Sequence, residues 1–177
     1  IFRDMQNENS AAIAHRQELV SQISLALAKN GIYHDIHASD AVVRFCISQH
    51  IEELGQKFYD SRSPVAVSGV RTLIIRAEKL VQWCSAVKMW TLDEAHHAVP
   101  DNQWDTAIKL FTNARGLGVT ASPIRTDKKP LGRKFGGIFD KMVVGPDMRT
   151  LINRGFLSDY KIYAPSLSID VSNISIS

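Results

Sequence analysis

This sequence predicts an α/β fold built on a mainly parallel sheet, and three observations predict it. Short apolar runs recur along the 177 residues, at "AAIA" (11–14), "VAVS" (65–68) and "AVKMWTL" (86–92) among others. Between them lie longer stretches whose apolar residues return every three or four positions, the period of a helix packed on a sheet. Each apolar run also ends in small or polar residues, as the carboxyl edge of such a sheet requires, because ligands gather there. A composition of 45% hydrophobic and 22% charged residues is that of an ordinary globular domain, with length enough for one real core.

The elements follow in order. "IFRDMQ" has the look of a helix end, and "NENS" is a polar break before the strand at 11–14. "HRQELVSQISLALAKNG" places Leu19, Val20, Ile23 and Leu27 on one helical face. Gly31 stands where a helix end favours a left-handed residue. "IYHDIHA" (32–38) alternates as a strand. Ser39 or Asp40 can then cap a helix over 41–58, whose stripe is Val43, Ile47, Ile51, Leu54 and Phe58. "SRSP" breaks it before the strand at 65–68. A helix over about 70–80, the strand at 86–92, a helix over 104–111 and a buried strand at 116–122 complete the pattern.

No apolar run approaches the length that crosses a bilayer, and no signal peptide opens the chain, which starts at Ile1. Cys46 and Cys84 have no second Cys or His at ligand spacing and read as buried thiols. The net charge of +3 names no partner, but its distribution is uneven. Residues 115–161 hold ten Lys/Arg against four Asp, and "RTDKKPLGRK" (125–134) lies within them. Phosphate contact and a solvated loop both explain that run. Trp83, Trp90 and Trp104 read as packing residues.

Four polar edges follow the strands: His15-Arg16, Ser68-Gly69, Asp93-Glu94 and Thr120-Ala121-Ser122. Two adjacent carboxylates at the end of a buried strand suit nucleotide hydrolysis. One can hold Mg²⁺, which keeps most of its waters, and the other can orient or deprotonate the attacking water. A helix N-terminus welcomes two carboxylates as well. A metal set of Asp93, His96 and His97 is also conceivable, though it lacks a fourth ligand.

"AHRQEL" (14–19), "DEAHH" (93–97), "TASPIR" (120–125), "LGRKFGGIFDKMVVGP" (131–146) and "GFLSDYKIYAP" (155–165) occur in one order at consistent spacing. Together they resemble the first motor domain of the DEAD/DEAH-box helicases of superfamily 2, in particular the phage and restriction-enzyme-like members. The resemblance implies a RecA-like parallel sheet flanked by helices, with ATP and Mg²⁺ as cofactors and nucleic acid, DNA rather than RNA, as track. It assigns Asp93 to Mg²⁺ and Glu94 to the attacking water. His96 would link that site to Thr120, Ala121 and Ser122, the segment that couples hydrolysis to movement. His15, Arg16, Ser68 and Thr72 fall where the family meets the nucleic-acid backbone. A strand-to-helix turn with free amides, hydroxyls and an Arg suits phosphate without reading bases.

The family's phosphate loop, Gly-x-x-x-x-Gly-Lys-[Ser/Thr], has no counterpart, for no Gly-Lys dipeptide occurs in the sequence. The resemblance therefore implies an incomplete first domain over 1–164, its first strand and phosphate loop lying upstream of Ile1. Residues 165–177 would lead toward a second motor domain. Such a chain is expected to be inactive alone, and its parent to work in the cytoplasm of a bacterial or phage-infected cell, away from membranes. The alternative is a catalytically silent module that keeps the fold and binds nucleic acid or protein.

Overall fold

A computed structural model describes residues 2, 8–122, 124–125 and 128–163. Its centre is a parallel sheet of five strands: β1 (Ser10–Ala14), β2 (Asp35–His37), β3 (Val65–Gly69), β4 (Met89–Leu92) and β5 (Arg115–Gly118). They lie in the order β2-β3-β1-β4-β5, with Ile13 opposite both Ser68 and Leu92, so every strand ends at the same edge. The predicted RecA-like arrangement, a parallel sheet between helices, is the one observed. The helix end expected at 1–6, Phe2 excepted, and the boundary expected at 164–165 fall on residues outside the description.

Side-chain alternation along the strands divides the core in two. Ala11, Ile13, Trp90 and Leu92 face one layer, packed against α3 (Val70–Ile75), α4 (Ala77–Ala86) and α5 (Gln103–Lys109). Ala12, Ala14, Val65 and Val67 face the other, under α1 (Gln17–Lys29) and α2 (Asp40–Leu54). α1 buries Val20 and Leu27 from its predicted stripe, and Gly31 closes it at φ +73°.

Three expectations need correction. The buried face of α2 is Val42, Cys46 and His50, one residue out of step with the predicted stripe, and Ile51 is 52% exposed. The cause is a hydrogen-bonded chain that buries histidine as readily as an apolar residue. His34 Nδ1 donates to the Ile32 carbonyl at 2.9 Å, so its Nε2 accepts the Ser24 hydroxyl at 2.7 Å. Ser24 Oγ in turn accepts His50 Nε2–H at 3.0 Å, and His50 Nδ1 accepts the Phe58 amide at 3.3 Å. Second, the helix expected over 70–80 is two, broken at Arg76, and the second runs on to Ala86. Third, β5 is an edge strand exposed along Arg115, Gly116 and Leu117, not a buried one.

Glycine is obligatory at two places on β5. A Cβ on Gly116 would lie 1.9 Å from the Trp90 ring, and one on Gly118 2.4 Å from Phe139, so both rings lie directly on the backbone. Both cysteines are free and buried, as expected, and burial raises the Cys84 thiol to about 11. No helix among the described residues is long and apolar enough to cross a membrane.

By its contacts the chain divides into two units, residues 1–142 and 143–177. In the second, α6 (Met148–Asn153) is capped by Asp147, which accepts the Thr150 amide at 2.7 Å. Arg149 pairs with Asp159 at 3.4 Å and lies 5.9 Å from the Tyr160 ring.

Candidate functional site

Because all five strands are parallel, the polar groups that follow them share one edge. β4 delivers Asp93 and Glu94 there. The Asp93 amide continues the ladder by donating to the Ile13 carbonyl at 3.1 Å, and its Oδ1 accepts the Glu94 amide at 2.9 Å. Glu94 takes the left-handed conformation at φ 53°, ψ 47°, which costs a residue with a Cβ roughly 1–2 kcal/mol. The next amide, Ala95 N–H, is fixed to the Val119 carbonyl at 3.0 Å, which locks this turn to the end of β5.

The turn brings Glu94 and His96 together. His96 Nδ1 lies 3.2 Å from Glu94 Oε2 and 2.8 Å from Thr120 Oγ1. Thr120 Oγ1 already accepts the Ser122 amide at 3.1 Å and donates to the Ser122 carbonyl at 3.2 Å. Its own proton being committed, Thr120 can only accept from His96. His96 Nδ1 therefore carries the hydrogen and shares it between Thr120 and Glu94. One imidazole thus joins the acidic turn to the 120–122 segment.

Asp93 is half-buried at this edge and offers hard carboxylate oxygen, with a second carboxylate beside it. That donor set fits Mg²⁺, which takes one or two protein carboxylates and completes its shell with water and phosphate. No group of three or more His, Cys, Asp or Glu placed to hold a metal ion occurs among the described residues.

Over residues 1–125 the chain matches the family described as type III restriction enzyme, res subunit. The chain belongs to this family. With its motifs, the match places this Res-family chain among the superfamily 2 helicase motor domains. Among solved structures it is similar to the Hef helicase domain of Pyrococcus furiosus, at 18% identity and a TM-score of 0.33. That likeness covers 71% of this chain, which spans only 32% of the Hef structure. No curated protein matches it.

The remaining expected site residues of the Res-family chain lie as follows. His15 and Arg16 follow β1, with Arg16 exposed and its Nε donating to His15 Nε2 at 3.2 Å. Thr72 is half-buried on the first turn of α3. Ala121 and Ser122 are exposed. Ser68 is placed differently from what was expected. It is wholly buried, and its hydroxyl lies 3.1 Å from His37 Nδ1, while His37 Nε2 meets Asp35 Oδ2 at 2.9 Å. Its side chain is committed inward, and β3 reaches the edge through Gly69, with Thr72 following on α3. Arg125, in the basic run, is also turned inward, donating to the Phe135 carbonyl at 3.3 Å.

The packing around His97 is not legible in the sequence. Its ring lies 4.2 Å from His96, 5.6 Å from His15 and 5.2 Å from Trp104. Burial, then His96 and His15, hold the His97 imidazole below its ordinary range, so it stays neutral near pH 7. Asn102 secures the group from behind. Its Oδ1 caps α5 at the Trp104 and Asp105 amides, and its Nδ2 donates to the His97 carbonyl at 2.7 Å. The Asn before a short amphipathic run was the available signal.

Proposed function

We propose that this chain is the hydrolytic and track-contacting part of an ATP-dependent helicase or translocase motor that couples ATP hydrolysis to movement on DNA. The observation that carries the reading is the His96 bridge, which ties the acidic turn after β4 to the Thr120–Ser122 segment after β5. In this reading Asp93 would hold a Mg²⁺, which would supply charge neutralisation at the nucleotide's phosphates. Glu94 orients the attacking water and accepts its proton. His96 senses the charge state of Glu94 and transmits it to Thr120. Arg16 and Thr72 hold the nucleic-acid backbone at the same edge, with DNA favoured by the restriction-enzyme-like character of the motifs.

The phosphates need a grip that these residues do not contain, since no Gly-Lys pair occurs among them. The sheet has room for it. β5 has no outer partner among the described strands, and Leu117 and Val119 are 37% and 48% exposed. A parallel sheet is normally covered on both faces. A further strand, phosphate loop and helix added at β5 would complete both the edge and the face. A second motor domain closing on the nucleotide belongs to the same reading.

The track assignment is tested by titrating the chain with single-stranded DNA across a range of salt concentrations. The expected result is binding that weakens as salt rises, with Arg16→Gln lowering the logarithmic slope by about one phosphate contact. Binding that ignores salt, or an Arg16→Gln slope equal to wild type, would contradict it.

A further inference from the structure

The imidazoles at the carboxyl edge form a continuous path from the proposed track contact to the proposed hydrolytic group. Arg16 holds His15 through one hydrogen bond, and the His15 ring meets the His97 ring edge-on at 62°. His97 packs on His96, and His96 holds both Glu94 and Thr120. Trp104 lies against His15 and His97 at 5.6 and 5.2 Å.

This packing leaves hydrogen-bonding capacity unused. His15 Nε2 is occupied as the acceptor from Arg16, so Nδ1 carries the hydrogen of the neutral ring. That buried Nδ1 has no hydrogen-bond partner among the described residues, and neither has the buried Trp104 Nε1. Buried donors without partners are costly, so this arrangement is held at an energetic cost. The Arg16 side chain that fixes the arrangement is exposed and free to turn to another acceptor. A phosphate oxygen is a stronger acceptor for guanidinium than a neutral imidazole. The back of the stack cannot yield in the same way, because Asn102 pins both the His97 carbonyl and the start of α5. Movement of the His15 ring therefore passes to His97 and on to His96.

We propose that His97, held between His15 and Trp104, is a positioning residue. When a nucleic-acid phosphate draws Arg16 away from His15, the ring stack resets His96 against Glu94 and Thr120. The inference rests on the reading that Arg16 meets nucleic acid, and it assigns the communication between the two sites to ring contact rather than to charge.

The test is nuclear magnetic resonance of the histidine ring nitrogens in this chain, with and without a single-stranded deoxythymidine oligonucleotide. In the wild type the oligonucleotide shifts the His97 and His96 ring signals, while those of the remote His34 and His50 stay in place and report an intact fold. His97→Ala binds the oligonucleotide within about twofold of wild type, as expected of a residue that touches no ligand, but loses the His96 response. His97→Phe, which keeps a ring in the stack, restores it. Arg16→Lys is a surface change that retains a cation for phosphate and removes the Nε bond to His15. Its free His96 signal already lies at the bound position of wild type. A His96 response that persists in His97→Ala overturns the relay, as does an Arg16→Lys spectrum that starts and responds like wild type. Oligonucleotide binding with no His96 response in wild type removes the relay and leaves the track reading standing. Failure to bind at low salt removes both.

Discussion

The molecule holds two histidine clusters on opposite plans. Under α1 and α2, His34, Ser24 and His50 form a closed chain in which every ring nitrogen has a partner and both rings are wholly buried. At the carboxyl edge, His15, His96 and His97 are partly exposed, touch mainly through their ring faces and edges, and leave His15 Nδ1 unpartnered. The first cluster has one good arrangement and nothing to gain from another, as a structural element should. The second has slack, a neighbouring strained Glu94 and an exposed cation holding it in place, as a working site should. Histidine content alone says nothing of function. The completeness of the hydrogen bonding does.

This contrast can be broken most forcefully at Ser24. Ser24→Ala removes the hydroxyl shared by both rings and strands two buried nitrogens, at about 2 kcal/mol each. We expect denaturant unfolding to show a loss of about 4 kcal/mol, against 1 kcal/mol or less for His97→Ala. Equal losses would erase the distinction between the clusters.

Acid should act on the same cluster with a slightly smaller effect. Burial lowers His34 to about 4 and depresses His50 as well. In the unfolded chain these rings take up protons near 6.5, well before the folded chain does. The contribution is therefore complete above pH 6.5 and is lost as the pH falls toward 4, amounting to about 3 kcal/mol for His34. Unfolding curves at pH 7, 5.5 and 4 should decline in that order in wild type, and His34→Gln should flatten the decline. A flat wild-type profile would mean that the buried rings are not the neutral pair described.

Much of the fold was legible because β1, β3 and β4 are central strands, whose short apolar runs end in polar turns. The acidic turn and the 120–122 segment were legible as well, since each follows a strand directly. The register of α2 was not. His50 counts as polar in any periodicity, and only its bonds to Ser24, twenty-six positions away, and to Phe58 beyond the helix end make it a core residue. The exposure of β5 was hidden for a related reason, because an apolar run cannot reveal whether a neighbouring strand is there to cover it. The Arg76 break carries no Gly or Pro to mark it, and we have no physical account of it. The inward turn of Ser68 depends on His37, thirty-one positions away. Ring packing at His97 was invisible because His15 follows β1, and only the pairing of β1 with β4 in the parallel sheet brings it to His97.

The central claim, that the turn after β4 is the hydrolytic centre of a motor, is tested most directly by Mg²⁺-dependent ATP turnover. The measurement is made in a polypeptide that joins a phosphate loop to these residues, comparing wild type with Glu94→Gln. The account predicts that turnover falls by roughly 10²–10⁴-fold, the range expected for loss of a general base, while nucleotide binding is kept. Turnover within a few-fold of wild type would contradict it.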